Sequence, residues 1–131
     1  MPQAARPLSP HLQIYRWQIQ MVSSILHRAA GIALAFGTIL LVCLLGGLAA
    51  GPEAYAKVQA CAGSLIGQVL LFGWTWSLAY HLLNGLRHLA EDTGWGYRIE
   101  QFVRTGWLAV IGSLVLTALV WACVFLRGGA A

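Results

Sequence analysis

Residues 29–52 read AAGIALAFGTILLVCLLGGLAAGP and contain no Asp, Glu, Lys or Arg. Two further stretches without these charged residues cover residues 58–86 and 105–126. The three stretches hold 24, 29 and 22 residues. At about 1.5 Å per residue, a helix of that length crosses a hydrocarbon core of roughly 30 Å. Because a membrane span must pair its backbone polar groups internally, each stretch is predicted to be a transmembrane helix.

The overall composition indicates the same environment. Of the 131 residues, 59% are hydrophobic and 9% are charged, whereas soluble domains carry about a quarter charged residues. The chain therefore has too few charges to coat a soluble protein, which excludes a soluble enzyme. The predicted fold class is all-α: an integral membrane bundle of three transmembrane helices in one domain, residues 1–131, with spans at about 24–50, 59–90 and 104–127.

The segments outside these spans are short. Residues 1 to about 23 lack the apolar run of a secretory signal and are expected to lie at the membrane surface as an interfacial segment. The first loop is predicted around Gly51, Pro52 and Lys57. The second loop follows a helix stop predicted at residues 93–96, which read Thr-Gly-Trp-Gly.

The basic residues predict the orientation. With three spans, the N-terminus and the second loop share one side of the membrane, and that side holds six of the eight basic residues. The positive-inside rule then places the N-terminus in the cytoplasm or the equivalent organellar compartment. The short N-terminus without a transit signal favours a bacterial inner membrane, with the mitochondrial inner membrane as the alternative. The net charge of +4 needs no nucleic-acid partner. The six are Arg6, Arg16, Arg28, Arg87, Arg98 and Arg104, and the other two are Lys57 and Arg127.

A histidine inside the second predicted span is the first candidate for chemistry. His81, Gly85 and His88 fall on one face of a helix, and His81 lies about 9 Å deeper than Arg87. A neutral imidazole in a dry helical bundle is a good axial ligand for haem iron, and a glycine one turn away lets a flat macrocycle approach. Arg87 and His88 at the rim can hold its carboxylates. The alternative is that His81 hydrogen-bonds a neighbouring helix, and the spacing leaves both open.

A second polar cluster opens the first predicted span. Ser24 and Arg28 are one helical turn apart and share a face. The alternative is that Ser23 or Ser24 caps the helix while Arg28 reaches lipid phosphate. His27 is predicted at the rim, shallower than His81. If His81 binds haem, the second ligand is therefore expected from another chain.

Two other sets of residues carry weaker signals. Glu91 and Asp92 are expected at a solvated helix end, with a proton relay as the alternative. The cysteines, Cys43, Cys61 and Cys123, form no Cys-x-x-Cys motif, so covalent haem attachment and thiolate metal sites are not indicated.

Taken together, the clusters resemble the cytochrome b membrane-anchor subunits of succinate dehydrogenase, respiratory complex II. The resemblance covers nearly the whole chain and includes three spans. Two positions depart from the pattern: Ala30 stands where many relatives carry a hydroxyl residue, and Glu91 where they often carry a hydrophobic one. The matching stretches are residues 6–15 (RPLSPHLQIY), residues 24–28 (SILHR) with Gly31, His81, and residues 85–89 (GLRHL) with Asp92.

The resemblance implies specific roles. His81 is then an axial ligand of a haem b shared with a second small membrane subunit, and His27, Arg28 and His88 lie near the haem propionates. Ser24 and Arg28 line a ubiquinone pocket beside an iron–sulfur subunit. A flavoprotein subunit with FAD oxidises succinate, the iron–sulfur clusters pass the electrons on, and this chain is not an enzyme on its own.

Other functions remain open at this point. The chain can be a haem-free membrane anchor or the anchor of a fumarate reductase. From a different class, it can be a small self-associating transport or assembly protein in which His81 is a packing contact.

Overall fold

The structure, a computed structural model, describes residues 14–128. This part of the chain contains four helices: α1 (Ile19–Ala50), α2 (Pro52–Gly63), α3 (Leu65–Asp92) and α4 (Ile99–Gly128). Helix α3 packs against both α1 and α4, and α1 also contacts α4, so the three long helices form a bundle. The all-helical prediction is confirmed. The predicted interfacial segment covers about residues 1–23. Its residues 1–13 lie outside the described residues, and its last residues, from Ile19 onward, belong to α1.

The number of membrane crossings is confirmed only in part. Helices α1 and α4 are each long and apolar enough to span a membrane. Helix α3 qualifies only together with α2, and the two are bent by 77° relative to each other. Residues 14–128 therefore contain two candidate spans, or three if α2 and α3 form one broken span.

The connection between the first two spans differs from the prediction. The loop predicted around Gly51 to Lys57 is wrong, because α2 begins at Pro52 directly after Gly51, which has φ +107°. Proline suits the first helical position, since its fixed φ is helical and its missing N–H is not needed there. The second charge-free stretch is then interrupted at Ser64, whose hydroxyl accepts a hydrogen bond from the Gly67 amide at 3.1 Å and caps α3.

The other end of α3 lies where the sequence placed it. The helix ends at Asp92, and Thr93 is its C-terminal cap. Gly94 then takes φ +87°, a conformation that glycine adopts without steric cost. The predicted helix stop is confirmed.

The bundle packs small and polar residues inside and leaves the large aliphatic ones outside. Tyr80 is the large hydrophobic side chain that is fully buried in the described part of the chain. Trp76 donates to the Ser113 hydroxyl at 3.2 Å and Trp121 to that of Thr75 at 3.3 Å, so α3 and α4 are joined by hydrogen bonds. In lipid there is no hydrophobic force between helices, and close packing and such hydrogen bonds hold them together. Buried small and hydroxyl residues are Ser23, Ala30, Ser77, Ala79, Ala109, Ser113 and Thr117.

Gly37 on α1 offers a direct test of the packing between α1 and α3. A Cβ at this position would overlap the indole ring of Trp74. We expect Gly37→Leu to lower the free energy of unfolding by about 1–3 kcal/mol, as overpacking does in tight cores. Gly46→Leu on the same helix is the matched control, because no atom lies within 4 Å of its added Cβ. Unfolding in detergent measures both variants, and equal stability would contradict the observed α1–α3 packing.

Candidate functional site

Helices α1 and α3 run antiparallel, which sets His27 and His81 at the same level. The Tyr80 hydroxyl donates to the Ser23 carbonyl at 3.1 Å, and His81 Nδ1 lies 3.2 Å from the His27 carbonyl oxygen. Further along, Gly37 of α1 meets Trp74 of α3. The contact at position 37 of α1 thus falls earlier on α3 than the contacts at positions 23 and 27, as an antiparallel arrangement requires.

Three histidines come together at this level, and we call His27, His81 and His88 the histidine cluster. The rings of His27 and His81 stack with centroids 3.9 Å apart and an interplanar angle of 8°. The His88 ring meets that of His27 edge-on, with centroids 5.4 Å apart. The sequence placed His81 and His88 on one face, as observed, but it placed His27 shallower than His81. The rings are in contact because α1 begins at Ile19, so His27 already lies about two turns inside the helix.

Two glycines border the cluster, and one of them makes room for it. A Cβ on Gly31 would lie 3.1 Å from Cε1 of His81, tighter than nine in ten real Cβ contacts. A Cβ on Gly85 would lie 3.8 Å from Cε1 of His27, an ordinary van der Waals distance. Gly31 is therefore the residue that lets the His81 imidazole approach α1.

Ser24 and Arg28 lie next to the cluster on α1 and face outward. Ser24 is half-buried and Arg28 is exposed, and neither has a hydrogen bond or ion pair to another residue in the range 14–128. The capping alternative is wrong, because the N-cap of α1 is Gln18 and the Ser23 hydroxyl donates to the Gln20 carbonyl instead. Both predicted site side chains are thus available on the bundle surface.

Arg87 lies apart from the histidine cluster. Its guanidinium is buried against α4, where Nε donates to the Thr105 hydroxyl at 3.0 Å and the group lies 4.1 Å from the centre of the Phe102 ring. Consecutive residues of a helix point about 100° apart, so Arg87 and His88 face different neighbours. The sequence had assigned Arg87 and His88 together to the haem carboxylates, whereas the structure places only His88 in the histidine cluster.

The two acidic residues at the end of α3 also separate. Asp92 is exposed and forms no ion pair with any residue between positions 14 and 128. Glu91 is 6% exposed, and its oxygens lie 2.9 Å from the Arg87 guanidinium and 3.3 Å from His88 Nδ1. The prediction of a solvated helix end is therefore wrong for Glu91. The i,i+4 spacing from Arg87 to Glu91 is the signal that identifies this pair.

The sequence reasoning also missed two buried polar residues on α3. Tyr80 and Asn84 are both 0% exposed. Tyr80 anchors α3 to the backbone of Ser23, the residue before Ser24. Asn84 accepts a weak hydrogen bond from Arg87 at 3.5 Å. With Arg87 and Glu91 these residues recur at spacings of four, three and four, which is the period of one helix face.

Comparison with known proteins connects this geometry to a family. Residues 2–120 match the family described as the succinate dehydrogenase/fumarate reductase transmembrane subunit. The chain belongs to this family. It is 41% identical over 120 residues to the succinate dehydrogenase cytochrome b556 subunit of Paracoccus denitrificans, an alignment that covers 92% of each chain.

Further relatives come from bacteria and mitochondria. The cytochrome b556 subunit of Rickettsia prowazekii is 42% identical over 116 residues, which is 88% of this chain and 90% of the relative. The mitochondrial cytochrome b560 subunit of Sus scrofa is 41% identical over 110 residues, 81% of this chain and 64% of the relative. These relatives are cytochrome b membrane subunits of succinate dehydrogenase, not its catalytic subunits. The predicted resemblance is confirmed.

A cytochrome b family implies a haem b, and the histidine cluster has the chemistry to hold one. An imidazole that ligates a metal through one nitrogen usually donates its other N–H to a carbonyl or carboxylate. His81 has such a carbonyl 3.2 Å from Nδ1, that of His27. The stacked His27 ring covers a face of the His81 ring, whereas a ligating nitrogen uses the ring edge. Nδ1 of His27 is buried without a hydrogen-bond partner in residues 14–128. These residues fit the group.

Proposed function

We propose that this chain is the haem-b-binding membrane subunit of a succinate dehydrogenase and forms part of its ubiquinone site. The observation that carries the proposal is the contact between His81 Nδ1 and the His27 carbonyl. With the Nδ1–H of His81 donating to that carbonyl, Nε2 keeps its lone pair and is available to bind iron. When bound, the haem supplies a one-electron carrier inside the membrane.

A second small membrane subunit supplies the other haem ligand in this proposal. His27 is in stacking contact with His81 itself. His88 has a half-exposed side chain, and its Nδ1 lies 3.3 Å from a carboxylate oxygen of Glu91. Because both belong to the same cluster as His81, the second haem ligand would come from a histidine of another chain. His27, Arg28 and His88 would hold the haem propionates, and Arg87, buried against α4, would support Glu91.

Ser24 and Arg28 are the residues we assign to ubiquinone. The Ser24 hydroxyl can donate a hydrogen bond to one quinone carbonyl and pass a proton to it. The Arg28 guanidinium stabilises the negative charge that develops on that oxygen as electrons arrive. Arg28 is exposed and Ser24 is half-buried, which leaves both accessible to a partner surface. An iron–sulfur subunit at this end delivers electrons that a flavoprotein subunit takes from succinate.

The charge distribution supports the side on which these partners bind. Arg16, Arg28, Arg98 and Arg104 are all exposed at the end of the bundle that carries the cluster. By the positive-inside rule this end is cytoplasmic in a bacterial inner membrane, or faces the matrix in a mitochondrion. Asp92 is exposed at the same end and is the candidate to exchange protons with water.

Purification of the tagged chain from its own membranes tests the proposal. We expect flavin, iron and haem b to co-purify, and the sample to reduce ubiquinone with succinate. Flavin without haem would indicate a haem-free anchor, and fumarate reduction by quinol as the faster direction would indicate a fumarate reductase. A chain that purifies with neither flavin nor haem would contradict the proposal and favour a transport or assembly protein.

A further inference from the structure

Glu91 lies between two side chains that point to different helices. One carboxylate oxygen is 2.9 Å from the Arg87 guanidinium, and the other is 3.3 Å from His88 Nδ1. The side chains of Glu91 and Arg87 are 8% and 5% exposed, whereas that of His88 is 49% exposed. The carboxylate therefore joins the part of α3 that is packed on α4 to the histidine cluster, in which His27 belongs to α1.

The Arg87 side of this arrangement is fixed by α4. The guanidinium is held by the Thr105 hydroxyl at 3.0 Å and lies over the Phe102 ring. Its terminal nitrogen also contacts the Phe102 carbonyl at 3.4 Å. With four contacts on a buried cation, Arg87 has little freedom, and the ion pair fixes Glu91 in turn. Because the two charges neutralise each other at 2.9 Å, their field at a distance is small.

The His88 side is the part that would otherwise be free to move. A carboxylate only accepts hydrogen bonds, so the contact with Glu91 makes Nδ1 of His88 a donor. This sets the ring orientation and leaves Nε2 on the far side of the ring. The same ring meets His27 edge-on, and His27 stacks on His81. When both of its nitrogens carry protons, an imidazole can donate to two carboxylates, one through Nδ1 and the other through Nε2.

We propose that Glu91 is a positioning residue for His88, holding its imidazole so that Nε2 donates to a propionate of the haem. The inference rests on the proposed haem site at His81. The sequence assigned Arg87 to the haem carboxylates, whereas in this arrangement Arg87 supports the carboxylate of Glu91.

Redox titration of the haem in the assembled complex tests this role. We expect Glu91→Leu to shift the haem midpoint potential in the same direction as His88→Leu, because both leave one propionate without the same hydrogen bond. The double variant should shift it no further than His88→Leu alone. Glu100→Gln is the matched control, since Glu100 is an exposed acid in the first turn of α4, and its potential should equal that of the wild type.

Comparison of the two single variants with the double variant separates positioning of His88 from a simple charge effect of Glu91. The inference would be overturned if Glu91→Leu shifted the midpoint potential by the same amount whether or not His88 is Leu. It would also be overturned if Glu91→Leu alone caused no shift of the potential. If the Glu91→Leu variant does not assemble, Glu91→Gln takes its place. We then expect Glu91→Gln to shift the haem midpoint potential in the wild-type background and to cause no further shift when His88 is already Leu. A wild-type complex without a haem signal that depends on His81 would overturn the proposed function as well. If the haem signal depends on His81 but the potential shifts of Glu91→Leu and His88→Leu are additive, only the role of Glu91 would be overturned, and the proposed function would stand.

Discussion

Arg28→Leu is expected to lower ubiquinone reduction by succinate by roughly 100-fold or more in kcat/KM, the usual loss when a donor to a developing oxyanion is removed. The guanidinium is exposed and has no ionic partner among residues 14–128, so its removal leaves no buried charge unpaired. The bundle should therefore fold and assemble normally. Succinate oxidation measured with a soluble dye should stay at the wild-type rate, because that reaction does not use the membrane site.

Arg104→Leu is the control for this experiment. Arg104 is an exposed arginine on α4 at the same end of the bundle, and within residues 14–128 it forms no hydrogen bond or ion pair with the proposed site residues. It should leave the ubiquinone rate unchanged apart from a weak effect of net charge. Equal losses in both variants would mean that Arg28 acts only through surface charge. No loss in Arg28→Leu would remove it from the quinone site.

Gly31→Leu is expected to abolish haem binding while His81 itself is unchanged. The first atom of any side chain at position 31 would lie 3.1 Å from Cε1 of His81, and the rest of a leucine would occupy the space of the imidazole. The ring must then leave the His27 carbonyl, which removes the hydrogen bond that orients it. The measurement is the haem content per flavin of the purified complex, with loss of most of the haem as the expected result.

Gly46→Leu again provides the control on the same helix, because a side chain at position 46 meets nothing within 4 Å. Its haem content should equal that of the wild type. Haem content in Gly31→Leu at the wild-type level would contradict the assignment of the site to the contact between His81 and α1.

Much of the histidine cluster could be predicted from the sequence because it depends on local periodicity. A spacing of seven places His81 and His88 on one face of any regular helix. Likewise, Gly94 after a run of helix-forming residues predicts the end of α3, since the turn requires a positive φ. Such features need no knowledge of which helix lies opposite.

Features that depend on the neighbouring helix could not be predicted in the same way. The depth of His27 relative to His81 follows from the antiparallel register of α1 and α3, which is set by contacts such as Tyr80 with the Ser23 carbonyl. Arg87 and His88 are adjacent in sequence, and the position of α4 is what shows that Arg87 packs on α4 while His88 meets His27 of α1. The break at Ser64 depends on a hydroxyl cap that competes with helix continuation.

A dithionite-reduced minus air-oxidised spectrum of the assembled complex tests whether His81 ligates haem iron. His81→Ala is compared with Leu82→Ala, which alters the adjacent side chain on the exposed face of α3. We expect the b-type signal to disappear in His81→Ala and to be retained in Leu82→Ala, with flavin content confirming assembly in both. An unchanged b-type signal in His81→Ala would contradict ligation by His81.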